Sequence, residues 1–292
     1  MNTSALFHKI KRIEVTTNQL SKEMFAGAYR SAFRGQGLEF EEVREYQPGD
    51  DVRAIDWNVT ARMQRPYVKS FREERDLNVM LLVDLSGSTN YGSHYGLKRE
   101  FMTELGAVLA FSAIKNNDRV GMILFSDIIE KYIPPRKGDR HVLRLIRELL
   151  AFTPKSRGSS IKNALGYLGR LSIRSGICFL ISDFLSNDYQ KEAAVIAQKH
   201  DLIAIQIQDP FEKKFPKIGI ATLRDLETGK IKEVDTRKEG VQKQFQSDTA
   251  AFSTQQEASL NKSGASVITI GTNESYVQTL QKFFRVRQLQ RR

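Results

Sequence analysis

A single cysteine in 292 residues, Cys178, excludes an intramolecular disulfide and a thiolate zinc cluster. Its place inside an apolar run reads as a small buried hydrophobe. The four histidines, His8, His94, His141 and His200, show no arrangement that identifies a general base, and no G-x-S-x-G elbow is present. Gly35-x-Gly37 and Gly158-Ser159-Ser160 lack the lysine and spacing of a phosphate-binding loop. No apolar run approaches the ~20 residues that cross a bilayer. Residues 1–25 hold no apolar block with a cleavage signal, so the expectation is a cytoplasmic chain without a membrane span.

With 40% hydrophobic and 27% charged residues, the chain can bury a full core. Its pattern changes near residue 75, predicting an N-terminal extension (1–75) and a larger domain (76–292). The extension holds a basic helical start (Leu6 to Lys22) and extended segments at Leu38–Tyr46 and Tyr67–Glu73, with a turn at Pro48-Gly49-Asp50-Asp51. Strand and helix patterns then alternate: Asn78–Val83, Leu97–Lys115, Val120–Ser126, Asp139–Ala151, Ser160–Leu171, Gly176–Ser182, Asp188–Lys199 and Leu202–Gln208. A hairpin turning at Glu227–Lys230, a long polar helix, a strand at Val267–Ile270 and a helix from Glu274 complete the order. Such alternation predicts an α/β, doubly wound, mainly parallel sheet of Rossmann type.

The run Val79–Val83 is apolar without alternation, as in a strand covered on both faces, and ends in Asp84-x-Ser86-x-Ser88. Ligands of open α/β sheets gather beyond the carboxyl ends of the strands. A carboxylate and hydroxyls on one tight turn are hard ligands, suited to Mg2+ or Mn2+ and poorly to zinc. Ser159 precedes a helical pattern, and Ser182-Asp183 ends a second buried run, Ile177–Ile181.

Asp84, Ser86, Ser88, Ser159 and Asp183 together resemble the metal-ion-dependent adhesion site of a von Willebrand factor A domain. Serine at 159 stands where that family usually has threonine. The resemblance implies Ser86, Ser88 and Ser159 as inner ligands, with the acids acting through water. Phe33-Arg34-Gly35-Gln36-Gly37-Leu38-Glu39-Phe40, followed by Arg44-Glu45-Tyr46-Gln47-Pro48-Gly49-Asp50-Asp51-Val52-Arg53-x-Ile55-Asp56-Trp57, is similar to the signature of a bacterial family catalogued as domain of unknown function fifty-eight. That likeness implies an A-like domain working with a MoxR-type AAA+ ATPase in chaperone-like maturation of other proteins. Within the signature, Asp50, Asp51, Arg53, Asp56 and Trp57 read either as a partner surface or as an internal lock that holds the extension to the sheet, with Trp57 buried.

Most of the +11 net charge lies between Arg136 and Arg174, where ten basic residues stand against Asp139 and Glu148. Lys137, Arg140, Arg144 and Arg147 fall on one helical side opposite Val142, Leu143, Ile146 and Leu150, and Arg157 precedes the Ser159 loop. This predicts a docking face for an acidic protein ligand or client, the alternative being a solvated helix face. Nucleic acid is a rival partner for the 136–174 face, but interleaved aromatics and a recognisable binding motif are missing. The basic carboxyl terminus (Arg285, Arg287, Arg291, Arg292) reads as a helix end matched to its dipole. Asp127 at a strand end reads as an outer acid of the site or as a turn former or helix cap. A phosphatase-like hydrolase of the D-x-D-x-T kind would need an acid where Ser86 stands, so the proton donor is missing and the expectation is a non-enzymatic module.

Overall fold

The computed structural model describes residues 29, 32–33, 38–73, 76–93, 96–186, 188–214 and 216–290. The helix expected over Leu6–Lys22 and Arg291–Arg292 lie outside the described residues.

Strand β1 (Leu38–Glu45) pairs antiparallel with β2 (Tyr67–Glu73) in a sheet of its own. The link between them is built by its acids. Arg44 grips Asp50 with both guanidinium nitrogens at 2.8 and 2.6 Å, Asp51 accepts from Arg53 N, and Asp56 caps α1 (Trp57–Met63) by accepting from Asn58 N and Val59 N. These contacts lock the hairpin to itself and not, as expected, to the central sheet. Burial of Trp57 is not observed: the residue opens α1 on its outer side and is 68% exposed, with Val52 and Met63 also exposed.

The central sheet holds β3 (Asn78–Asp84), β4 (Arg119–Phe125), β5 (Ile129–Arg136), β6 (Gly176–Ser182), β7 (Asp201–Gln208) and β10 (Ser266–Gly271), in the order β10-β7-β6-β3-β4-β5. All neighbours are parallel except β5, which returns antiparallel along the edge of β4. Connecting them are α2 (Lys98–Lys115), α3 (Asp139–Ala151), α4 (Ile161–Arg170), α5 (Gln190–Lys199), the turn α6 (Pro210–Lys213) and α7 (Glu239–Lys262), and α8 (Tyr276–Gln290) follows β10. A second hairpin, β8 (Ile220–Arg224) and β9 (Ile231–Asp235), lies between α6 and α7.

The unalternating runs have the cause inferred for them. Val79, Leu81 and Val83 pack with residues of α2, α3 and α8, whereas Met80, Leu82, Cys178 and Leu180 pack with α4, α5 and Leu260 of α7. Each face of the sheet is therefore covered, and Cys178 is buried as expected. Tyr29, Ala32 and Phe33, on the N-terminal side of residue 75, enter the first of these cores: the Phe33 ring lies 5.5 Å from Phe284 and 6.2 Å from Phe179. The chain leaves β3 toward β4 on one side, and β6 is laid down on the other. Order thus reverses at β3, which puts a crevice beyond Asp84.

Candidate metal centre

Asp84, Ser86 and Ser88 follow β3 in one tight turn, and all three are buried. Asp84 Oδ1 accepts from Ser86 N at 2.8 Å, which fixes the turn, while Oδ2 accepts from Ser159 Oγ at 2.9 Å and Ser182 Oγ at 2.7 Å. Ser86 Oγ and Ser88 Oγ are 3.0 Å apart. Backbone bonds hold the three loops together: Leu85 N to Phe125 O, Gly87 N to Arg157 O at 2.7 Å, and Ser160 N to Ser126 O. Ser159 lies just ahead of α4, whose N-cap is Ser160.

Asp183 reaches this cluster with a partner absent from the sequence reading. Lys98, opening α2, is 0% exposed and donates to Asp183 Oδ2 at 2.7 Å and to Glu212 Oε1 at 2.6 Å. Burial alone would lower the Lys98 pKa, but Asp183 and Glu212 outweigh it and raise it, so the ammonium stays charged. Glu212 also accepts from Asp209 N, and Asp209 accepts from Ser93 N and Thr272 Oγ1, tying the rim of β7 and β10 to α2.

A third acid arrives from the β8–β9 hairpin. Its tip rests on the turn after β3, so close that a Cβ at Gly87 would lie 2.3 Å from Leu226 O. Glu227 beside it has one carboxylate oxygen, Oε1, buried without a hydrogen-bond partner. Burial, then the charges of Asp183, Asp84 and Asp225, push the Glu227 carboxyl up to about 7, with the Ser88 hydroxyl opposing. Burial, then Asp183, likewise pushes Asp84 up to about 6.

The donor set fits a hard divalent cation. Ser159 and Ser182 give their protons to Asp84, which leaves their lone pairs free to coordinate and orients them as an outer carboxylate orients a metal ligand. The ammonium of Lys98 meets Asp183 and Glu212, and Asp84 and Glu227 bring two further acids to the site. Among the described residues no three His, Cys, Asp or Glu are grouped so as to hold an ion by themselves. Any ion here would rest chiefly on serine oxygens.

All five residues expected at the centre are thus brought to one strand edge, and Ser182, Lys98, Glu212 and Glu227 join them. Ser182 was visible only as the neighbour of Asp183. Asp127 is exposed; its carbonyl accepts from Asn163 Nδ2, and its side chain sits beside Gly158. The four arginines are exposed. Arg140, Arg144 and Arg147 follow one side of α3, opposite buried Val142, Leu145, Ile146 and Leu149. Arg140 lies at the start edge of the parallel strands, where the adjacent His141 Nε2 meets Val120 O, and the row climbs toward the Ser159 loop. Arg157 alone of the four touches the centre, through its carbonyl.

The 277 residues shared with "Uncharacterized protein Rv1480" of Mycobacterium tuberculosis strain H37Rv are 27% identical and span 94% of this chain and 87% of that one. "Uncharacterized protein YeaD" of Bacillus subtilis is 29% identical over 50% of this chain and 34% of its own. Among solved structures, BatB from Bacteroides thetaiotaomicron is similar at a TM-score of 0.49 and 17% identity, over 74% of this chain and 98% of that one. Proximal thread matrix protein 1 from the mussel byssus, with zinc-occupied MIDAS motif, is similar at 0.42 and 16%, over 72% and 46%. A family described as "Protein of unknown function DUF58" matches residues 42–255, and the chain belongs to that family.

Proposed function

We propose that the protein is a non-enzymatic, metal-dependent interaction module whose ion is completed by a carboxylate. The observation that carries this reading is the convergence of Ser159 and Ser182 on Asp84 Oδ2, with the Ser86–Ser88 pair beside it. Hydroxyls of this kind hold Mg2+ or Mn2+ while leaving it electrophilic enough to take an acid ligand. The partner is a MoxR-type AAA+ ATPase together with an acidic client, in chaperone-like maturation, and the exposed arginines of α3 supply long-range attraction. The test is capture of a MoxR-type ATPase with and without Mg2+, using wild type and Asp84→Ala. Capture that needs both the ion and Asp84 supports the module, and metal-dependent hydrolysis lost in Asp84→Ala argues for an enzyme instead.

One observation favours a second reading. Lys98 already sets a positive charge 2.7 Å from Asp183, as a resident cation would. In that case the scaffold works without an ion, and metal has no effect on capture.

A further inference from the structure

The β8–β9 hairpin is a built device. Asp225 Oδ1 accepts from Glu227 N at 2.9 Å and Thr228 N at 3.2 Å, and Oδ2 accepts from Thr228 Oγ1 at 2.6 Å. Asp225 N donates to Lys230 O, and Gly229, at φ +73°, completes the turn. A turn so fixed has its tip determined, and the tip lies on Gly87, where only a glycine lets Leu226 O approach. Glu227 is thereby delivered to the Ser88 side of the centre, where the Ser88 hydroxyl favours its charged form, while Oε1 is buried without a hydrogen-bond partner. A buried carboxylate oxygen left without a donor, within the electrostatic reach of Asp84 and Asp183, is costly unless a proton or a cation neutralises it.

We infer that Glu227 is an internal ligand of the ion, occupying from within the chain the coordination position that a partner's acid would otherwise take. This deepens the metal-dependent reading and rests on it. The hairpin holds the centre closed, and an acidic partner segment must displace the tip of β8–β9 to bind. Exchange of one carboxylate for another at the ion needs no change in its charge or ligand count, so the switch is set by the relative affinity and local concentration of the two acids.

The experiment titrates Mn2+ into the full chain as wild type, Glu227→Gln, Glu227→Ala and, as a control on the exposed face of the same hairpin, Glu233→Gln. Affinity is read by calorimetry, and water on the ion by proton relaxivity. The expected result is a loss of roughly tenfold or more in affinity for both Glu227 variants, the scale on which tuned metal sites respond. Relaxivity per bound Mn2+ should rise as water enters the vacated position, with Glu233→Gln like wild type. If wild type binds Mn2+ and both Glu227 variants match it in affinity and relaxivity, the internal ligand is overturned and the metal centre stands. Binding that appears only when Glu227 is removed overturns it too, since the hairpin would then exclude the ion. If no form binds Mn2+, the metal-dependent reading fails and the internal ligand with it.

Discussion

Ser159 donates to the same Asp84 oxygen as Ser182, so the loop before α4 and the end of β6 are oriented by one carboxylate at the end of β3. Ser159→Thr keeps the hydroxyl and should bind Mn2+ within about threefold of wild type, whereas Ser159→Ala should lose roughly tenfold. Calorimetry on the two variants checks this; equal binding by both would remove Ser159 from the ligand set.

Lys98 is locked between Asp183 and Glu212 with no solvent contact. Lys98→Met leaves both acids without their shared ammonium and should cost about 3–5 kcal/mol of stability in metal-free protein. Urea denaturation measures it, and added Mg2+ should return part of the loss in the variant.

Gly87→Ala sets a methyl group against Leu226 O and should force the hairpin away or strain it, costing roughly 1–3 kcal/mol. Hydrogen exchange at residues 225–229 should quicken in the variant while the amides of β3 keep their protection.

Asp118 supplies a pH dependence far from the centre. Its Oδ1 accepts from Leu77 N and its Oδ2 from the Tyr29 hydroxyl; burial, with Asp76 adding and Lys137 opposing, pushes the carboxyl from 3.8 up to about 7. A raised acid is protonated more readily in the folded state. Its contribution is therefore complete below pH 4 and is lost as pH rises through 7. Asp118→Asn should flatten that part of the stability profile, measured as denaturation midpoint from pH 4 to 8. An unchanged slope would mean Asp118 is charged in the fold.

The parts of this fold legible in the sequence are those fixed by local pattern. Val79–Val83 and Ile177–Ile181 are apolar on both faces because helices cover both faces, and Asp139–Ala151 shows its helical stripe plainly. Strand β5 escaped because Pro134 and Pro135 interrupt it, which an antiparallel edge tolerates and an interior strand does not. Helix α1 escaped although its cap, Asp56, was in view, because seven residues with an exposed apolar start show no stripe. The Asp84, Ser86, Ser88, Ser159 and Asp183 set was legible from resemblance. Lys98 was not, since a lysine at a helix start reads as solvated until tertiary contacts bring Asp183 and Glu212 to it. The turn at Glu227 was legible as a turn, but its landing on Gly87 belongs to topology.

Arg144→Glu with Arg147→Glu reverses charge on an exposed face of α3 and should weaken capture by an acidic partner, more at low salt than at high, without changing the unfolding free energy by more than ~0.5 kcal/mol. Steep, salt-sensitive DNA or RNA binding lost in the same variant would instead assign this face to nucleic acid.

The most direct measurement is calorimetric titration of Mg2+ and Mn2+ into wild type and Asp84→Ala. The account predicts one ion bound by wild type and none by Asp84→Ala, with the variant still folded by circular dichroism. Absence of binding to wild type, or equal binding by the variant, would contradict it and leave Lys98 as the cation of the site.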